Sequence, residues 1–280
     1  MGSRRRRGRS QGKGSLFGTL LAVSLLASGV GSISVGAVRW LHDVRSEEGY
    51  SSLAHAVTEQ AATQAAGPGG LEEDADHATD QDAEEAASQG AVGIDWAGLA
   101  SLNPDVRAWV RVDGTPIDYP VMSGSTKEVD HYLSHDAWDE DAPVGCPYLD
   151  PGCEAWSTNR IVYAHRLSTT NGMFTSVAES YLRDEFETLG SCRWLTPEGG
   201  EEVFQPLCAL QVTDDDDSVR RLSWPNRPAL GSWLSDLCER ADTKSPSWKM
   251  LSSSARNLVM LVTCSSRDGG PRRTVTVFCR

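Results

Sequence analysis

From Gly14 to Val38 the chain carries no ionisable side chain, and the segment before it holds Arg4, Arg5, Arg6, Arg7, Arg9 and Lys13 with no acid. A helix crossing a hydrocarbon core of roughly 30 Å needs about 20 mostly apolar residues, so this run is long enough to span one. A cleaved signal peptide would end its apolar core after about 7–15 residues at a small-residue site, and Leu26-Ala27-Ser28-Gly29 offers such a site. The apolar run continues past it to Val38, which favours an uncleaved signal anchor over residues 14–38. By the positive-inside rule the basic tail, residues 1–13, stays in the cytoplasm and the chain beyond Arg39 lies outside the cell.

Between Glu47 and Ile94 there are many acids and no Lys or Arg, with Glu72-Glu73-Asp74 and Glu84-Glu85 as charge clusters. Rich in Ala, Gly, Ser and Gln and poor in aromatics, such a stretch buries too little apolar surface to offset its ordering entropy. Residues 39–91 therefore read as an acidic, low-complexity, disordered stalk, with one short helix expected near 51–66. The net charge of -13 argues against nucleic acid, whose binding rests on basic surface.

From residue 92 to 280 the texture changes, and this length suits one folded domain. Short extended runs, each ended by turn residues, are expected at 108–112, 117–121, 160–164, 258–262 and 274–278. Helical patterning is expected at 172–177, 180–188 and, most clearly, 229–241. There Leu230, Trp233, Leu234, Leu237 and Cys238 recur at three- and four-residue spacing. Many short strands with few helices predict a mostly-β barrel with peripheral helices.

Seven cysteines are present. An odd number outside the cell leaves at least one without an intramolecular partner. Cys146 and Cys153 flank a turn-rich loop that suits a local disulfide, and no spacing supports a metal site. Cys264 follows an apolar strand and opens a polar loop, a place where a side chain is presented to substrate. A thiol becomes a strong nucleophile as its thiolate, so it needs a nearby base or cation. His165 also ends a strand, and imidazole suits proton transfer near neutral pH. Arg272 and Arg273 precede the last strand, where a guanidinium could hold a developing oxyanion. On residue chemistry alone each also fits a structural or surface role.

Together these segments resemble the sortases. LVTCSS, around Cys264, is similar to the family's TLxTC motif, with Val262 where class B members often carry Ser. IVYAHRLSTTNGMFTSV resembles the region of the family histidine, with Ala164 in place of the more usual Gly. PRRTVTVF resembles the arginine-bearing last strand and selects Arg273, with Arg272 as the fallback. LNPDVRAWVRVDGTPIDYPVM, DHYLSHD and GCPYLD look like the start of a class B catalytic domain, and the helix at 229–241 looks like that class's extra helix. With a strand at its C-terminus and no membrane segment after it, the chain looks more like class B than class C.

The resemblance implies an eight-stranded barrel bearing Cys264 as nucleophile, His165 as acid/base, Arg273 as electrostatic partner and Thr263 at the substrate. It implies no cofactor and no metal. The partners implied are a sorting-motif peptide of a secreted protein, an amine from peptidoglycan precursor or pilin, and the membrane through the N-terminal helix. A cysteine hydrolase using the same pair, or a non-catalytic surface protein, are the competing readings. Asp214–Asp217 reads as a solvated acidic loop.

Overall fold

The structure is a computed structural model and describes residues 44–58, 93–124, 128–266 and 269–280. The expected membrane anchor, the basic tail and most of the expected stalk lie outside these residues. Among the described residues, no helix is long and apolar enough to cross a membrane.

Nine strands form one sheet: β1 (Val106–Val112), β2 (Asp118–Met122), β3 (Tyr148–Leu149), β4 (Asn159–Tyr163), β5 (Cys192–Thr196), β6 (Gly200–Thr213), β7 (Thr243–Lys244), β8 (Leu258–Cys264) and β9 (Arg272–Cys279). Their order is β5-β1-β2-β3-β4-β8-β9-β6-β7, and β5 also pairs with β6. That second pairing closes eight strands into a barrel and leaves the two-residue β7 as an appendix. Closure removes the exposed strand edges that an open sheet would present.

Local chemistry explains the first hairpin. Asp113-Gly114 turns β1 into β2, and Gly114 sits at φ +82°, in the left-handed region that disfavours a Cβ. A Cβ there would also meet the carbonyl oxygen of Thr188 at 2.9 Å. β8 reads as a nearly unbroken apolar run because it lies between parallel β4 and antiparallel β9, with six of its seven residues buried. Trp109 and Trp194 are fully buried on β1 and β5, and their indole N–H groups donate to Asp118 at 2.5 Å and to the Ala155 carbonyl at 3.0 Å.

Among the described residues five α-helices decorate the barrel: α1 (residues 44–58), α2 (Trp96–Leu102), α3 (Arg183–Phe186), α4 (Arg227–Arg240) and α5 (Trp248–Ser254). α1 falls within the segment read as stalk, yet it packs on the folded unit. Tyr50 is buried, and its hydroxyl donates to the Gly145 carbonyl at 2.8 Å and accepts from the Ala137 N–H at 3.1 Å. Val57 joins Ile94, Leu99, Trp109 and Leu195 in a second apolar cluster, and its carbonyl accepts from the Asp95 N–H. Leu53 and Ala54 pack partly against the same clusters, and α1 overlaps the short helix expected near 51–66.

α4 begins two residues before the expected 229. Asn226 caps it by accepting from the Ala229 N–H at 2.9 Å, and Pro228 supplies a favourable first-turn φ. Helix expected at 172–177 reduces to a 3-10 turn at Thr175–Val177, and the helix expected at 180–188 to the single turn α3. In the latter, Ser180 is fully buried and its hydroxyl pairs with Thr276 on β9, which ties that end of the segment to the sheet.

Candidate active site

Parallel pairing of β4 with β8 registers Tyr163 with Val262. β4 ends at Tyr163, two residues before His165, and β8 ends at Cys264, so both residues lie at the same end of these paired strands. On the other side of β8, Cys264 registers directly with Arg273 of β9. Residues opposite one another in an antiparallel pair share a face of the sheet. Three neighbouring strands thus carry His165, Cys264 and Arg273 to one end of the barrel, and all three line a single cleft of about 720 Å³. Its floor comes from alternate residues of β8 and β9, with Met260, Val262 and Val275 beside the functional side chains.

The hydrogen bonds around the three residues define what each can do. A ring nitrogen of His165, Nε2, lies 2.8 Å from the Leu133 carbonyl. A carbonyl can only accept, so Nε2 carries the proton and Nδ1 is the nitrogen left for proton exchange. Arg273 Nη1 donates to the Gly270 carbonyl at 2.5 Å, and Nη2 lies 3.6 Å from Asp214 Oδ2. The N–H of Ser265, next after Cys264, already donates to the Arg272 carbonyl at 3.1 Å. That amide is therefore unavailable to an oxyanion.

Arg272 takes a different place. Its guanidinium donates to Gln211 Oε1 on the exposed surface, and it is absent from the cleft wall. Thr263 reaches the wall, but strand alternation turns its side chain away from the Cys264 face, toward that of Thr274. Its hydroxyl is buried without a hydrogen-bond partner among the described residues. Asp214, distant from Cys264 in the chain, meets Arg273 because β6 pairs with β9 through Thr213 and Arg272.

All seven cysteines are free thiols. The disulfide expected between Cys146 and Cys153 is absent. β3 runs between them, and their thiols turn to separate carbonyls, Pro120 at 3.7 Å and Asn159 at 3.3 Å. Cys264 is partly exposed and the other six are buried. Burial pushes the Cys153 thiol up to about 11 and the Cys279 thiol up to about 12, and raises Cys146 and Cys192 as well. Titration of the native protein with an aromatic disulfide reagent is expected to release one equivalent quickly and the remaining six only on unfolding. Several fast thiols, or none, would contradict this placement.

Nothing in the local sequence signals the ion pair at the far wall of the cleft. Asp150 is buried and accepts from Arg220 Nε at 2.6 Å, Arg220 Nη2 at 2.8 Å, the Gly152 N–H at 2.8 Å and the Tyr163 hydroxyl at 2.9 Å. This latch fastens the loop after β6 to the turn after β3. Burial alone would push the Asp150 carboxyl up, but the hydrogen bonds from Arg220, Gly152 and Tyr163 outweigh it and hold the group below its ordinary range. A depressed folded-state value contributes stability above the unfolded-state pKa of about 3.9 and loses it as pH falls through the depressed value. Unfolding midpoints followed from about pH 6 to about pH 2 should therefore fall more steeply in the wild type than in Asp150→Asn. Equal slopes would show that the latch contributes nothing.

No protein-family model matches the chain. Among curated proteins it is 29% identical over 124 residues to sortase B of Staphylococcus aureus, covering 44% of this chain and 49% of that protein. It is 31% identical over 90 residues to sortase B of Listeria monocytogenes, covering 31% and 35%. The matches span about half and about a third of the length of those relatives. The solved Staphylococcus aureus sortase B–substrate complex aligns with a TM-score of 0.63 at 18% identity, over 85% of this chain and 97% of that one. A sortase B complexed with triglycine aligns with a TM-score of 0.57 at 22% identity, over 70% and 90%. At these identities the solved structures establish the shared barrel.

Proposed function

The chain resembles the class B sortases in sequence and shares their fold, and on that premise we propose that it is a cysteine transpeptidase acting on a sorting-motif peptide. The observation that carries the reading is the convergence of Cys264, His165 and Arg273 from three adjacent strand ends onto one cleft.

In the proposed reaction the Cys264 thiolate attacks a peptide carbonyl in the cleft, and the carbonyl oxygen becomes an oxyanion. Arg273 holds that oxygen, a task the Ser265 N–H cannot share because it is spent on Arg272. His165, proton-bearing on Nδ1 at this stage, protonates the leaving amine as the C–N bond breaks, which leaves a thioester on Cys264. An incoming amine then attacks the thioester while Nδ1 accepts its proton, and the thiolate leaves. Acyl bond energy is kept through both steps, so neither ATP nor a metal is required.

The amine is proposed to come from peptidoglycan precursor or a pilin lysine, with residues 14–38 anchoring the chain so that the barrel works outside the cell membrane. The triglycine complex of a similar barrel supports a glycine-type acceptor as the first probe. Product analysis with and without triglycine tests the reading. A peptide joined to triglycine supports transfer, whereas free acid alone despite abundant amine identifies a hydrolase.

A further inference from the structure

The registered pairs of the β4–β8 ladder end at Tyr163 and Val262, and one further backbone bond joins the Ala164 N–H to the Val262 carbonyl at 3.2 Å. The ladder thus stops just short of His165 and Cys264. What spans the gap is a side chain. Arg166, next after His165, donates from Nη1 to the carbonyl of Ser265, next after Cys264. Its Nη2 donates to Glu179 Oε1 at 2.5 Å. Only 5% of the Arg166 side chain is exposed, and it is not part of the cleft wall. Ser265 is held from its other sides as well, by the Arg272 carbonyl and by a 3.0 Å hydroxyl pair with Thr274.

A buried guanidinium is costly to desolvate, and Arg166 Nε has no partner among the described residues. Such a group is a poor device for stability alone but a good one for fixing geometry, because its planar fork holds two acceptors in a set relation. We propose that Arg166 is a positioning residue: a strut, anchored on Glu179, that fixes the separation of the His165 imidazole and the Cys264 thiol. The inference rests on the transpeptidase reading for its consequence in turnover, but its geometry can be tested without a substrate.

The experiment compares wild type, Arg166→Gln, Arg166→Lys and Glu179→Gln in two assays. Alkylation of Cys264 by iodoacetamide, followed by mass spectrometry of its peptide, needs no sorting motif and tests the strut even in a chain that transfers nothing. Peptide transfer to triglycine supplies kcat and KM separately. Misplacement by about 1 Å can cost roughly 10²-fold in rate. Arg166→Gln is therefore expected to slow alkylation roughly tenfold and kcat by up to about 10²-fold, with KM essentially unchanged because Arg166 is not in the cleft wall. Arg166→Lys keeps the charge but cannot bridge both acceptors, so it regains only part of each rate. Folded Arg166→Gln with wild-type alkylation and kcat overturns the strut. Full recovery in Arg166→Lys overturns it too, since charge alone would then suffice. Should Arg166→Gln fail to fold, the Glu179→Gln variant decides, its partly exposed carboxylate tolerating the change. Slower alkylation there supports the strut, and an unchanged rate overturns it.

Discussion

Cys264→Ala is expected to abolish peptide transfer, lowering turnover by at least about 10⁴-fold. The thiol is the atom that would carry the acyl group, and no other cysteine can replace it, because the remaining six are buried away from the cleft. The substitution removes one sulfur at a partly exposed strand end, so the unfolding midpoint should move little. Loss of activity with retained fold separates chemistry from structure. Substantial activity in purified Cys264→Ala would remove Cys264 as the nucleophile, whatever the likeness of its motif.

Arg273→Ala is expected to lower kcat about 10²- to 10³-fold, the usual cost of deleting a principal oxyanion donor. The expectation is specific to this wall. The Ser265 amide is committed to Arg272, so the guanidinium opposite Cys264 is the donor best placed to meet the oxyanion. Lysine at 273 should recover only part of the loss, since an ammonium cannot reproduce the planar fork already held by Gly270 and Asp214. Arg272→Ala is the control. Its guanidinium serves Gln211 on the surface, and steady-state kinetics should leave it close to wild type. The reverse ranking of the two variants would transfer the role to Arg272.

Local sequence chemistry marked Cys264 and His165 as candidates, and the resemblance to the sortases singled them out. Both end apolar strands at the start of polar loops, and a strand-to-loop junction can be read without knowing the partner strands. Arg273 was separable from Arg272 only by aligning the last strand, and the β8–β9 register gives the physical reason for the choice. Thr263, taken from the family motif, does line the cleft beside Cys264. Adjacent residues of a strand face opposite ways, so its side chain lies on the other face of β8, a relation that motif letters do not convey.

Other features depend on contacts that no local pattern announces. Arg166 and Ser265 are 99 residues apart, and Asp150 and Arg220 are 70 apart. Barrel closure makes these pairs neighbours, and isolated charged residues in loops look solvated until the closure is known. Asp214 read as one of four solvated acids, yet the β6–β9 pairing sets it against Arg273. Spacing also misled for Cys146 and Cys153, where a short strand inside the loop turns the thiols toward separate carbonyls. A short helix was expected near 51–66 and α1 runs over 44–58, but its packing on the folded unit through Tyr50 and Val57 was not announced by an acidic, alanine-rich stretch.

The most direct measurement is intact-mass and peptide-mapping mass spectrometry of the full chain after incubation with a library of sorting-motif peptides, with and without triglycine. The account predicts an acyl adduct on Cys264 in the absence of amine, converted by triglycine to a ligated peptide. No adduct on Cys264 with any peptide, together with a thiol locked in a disulfide, would contradict it and leave a non-catalytic surface protein on a sortase barrel.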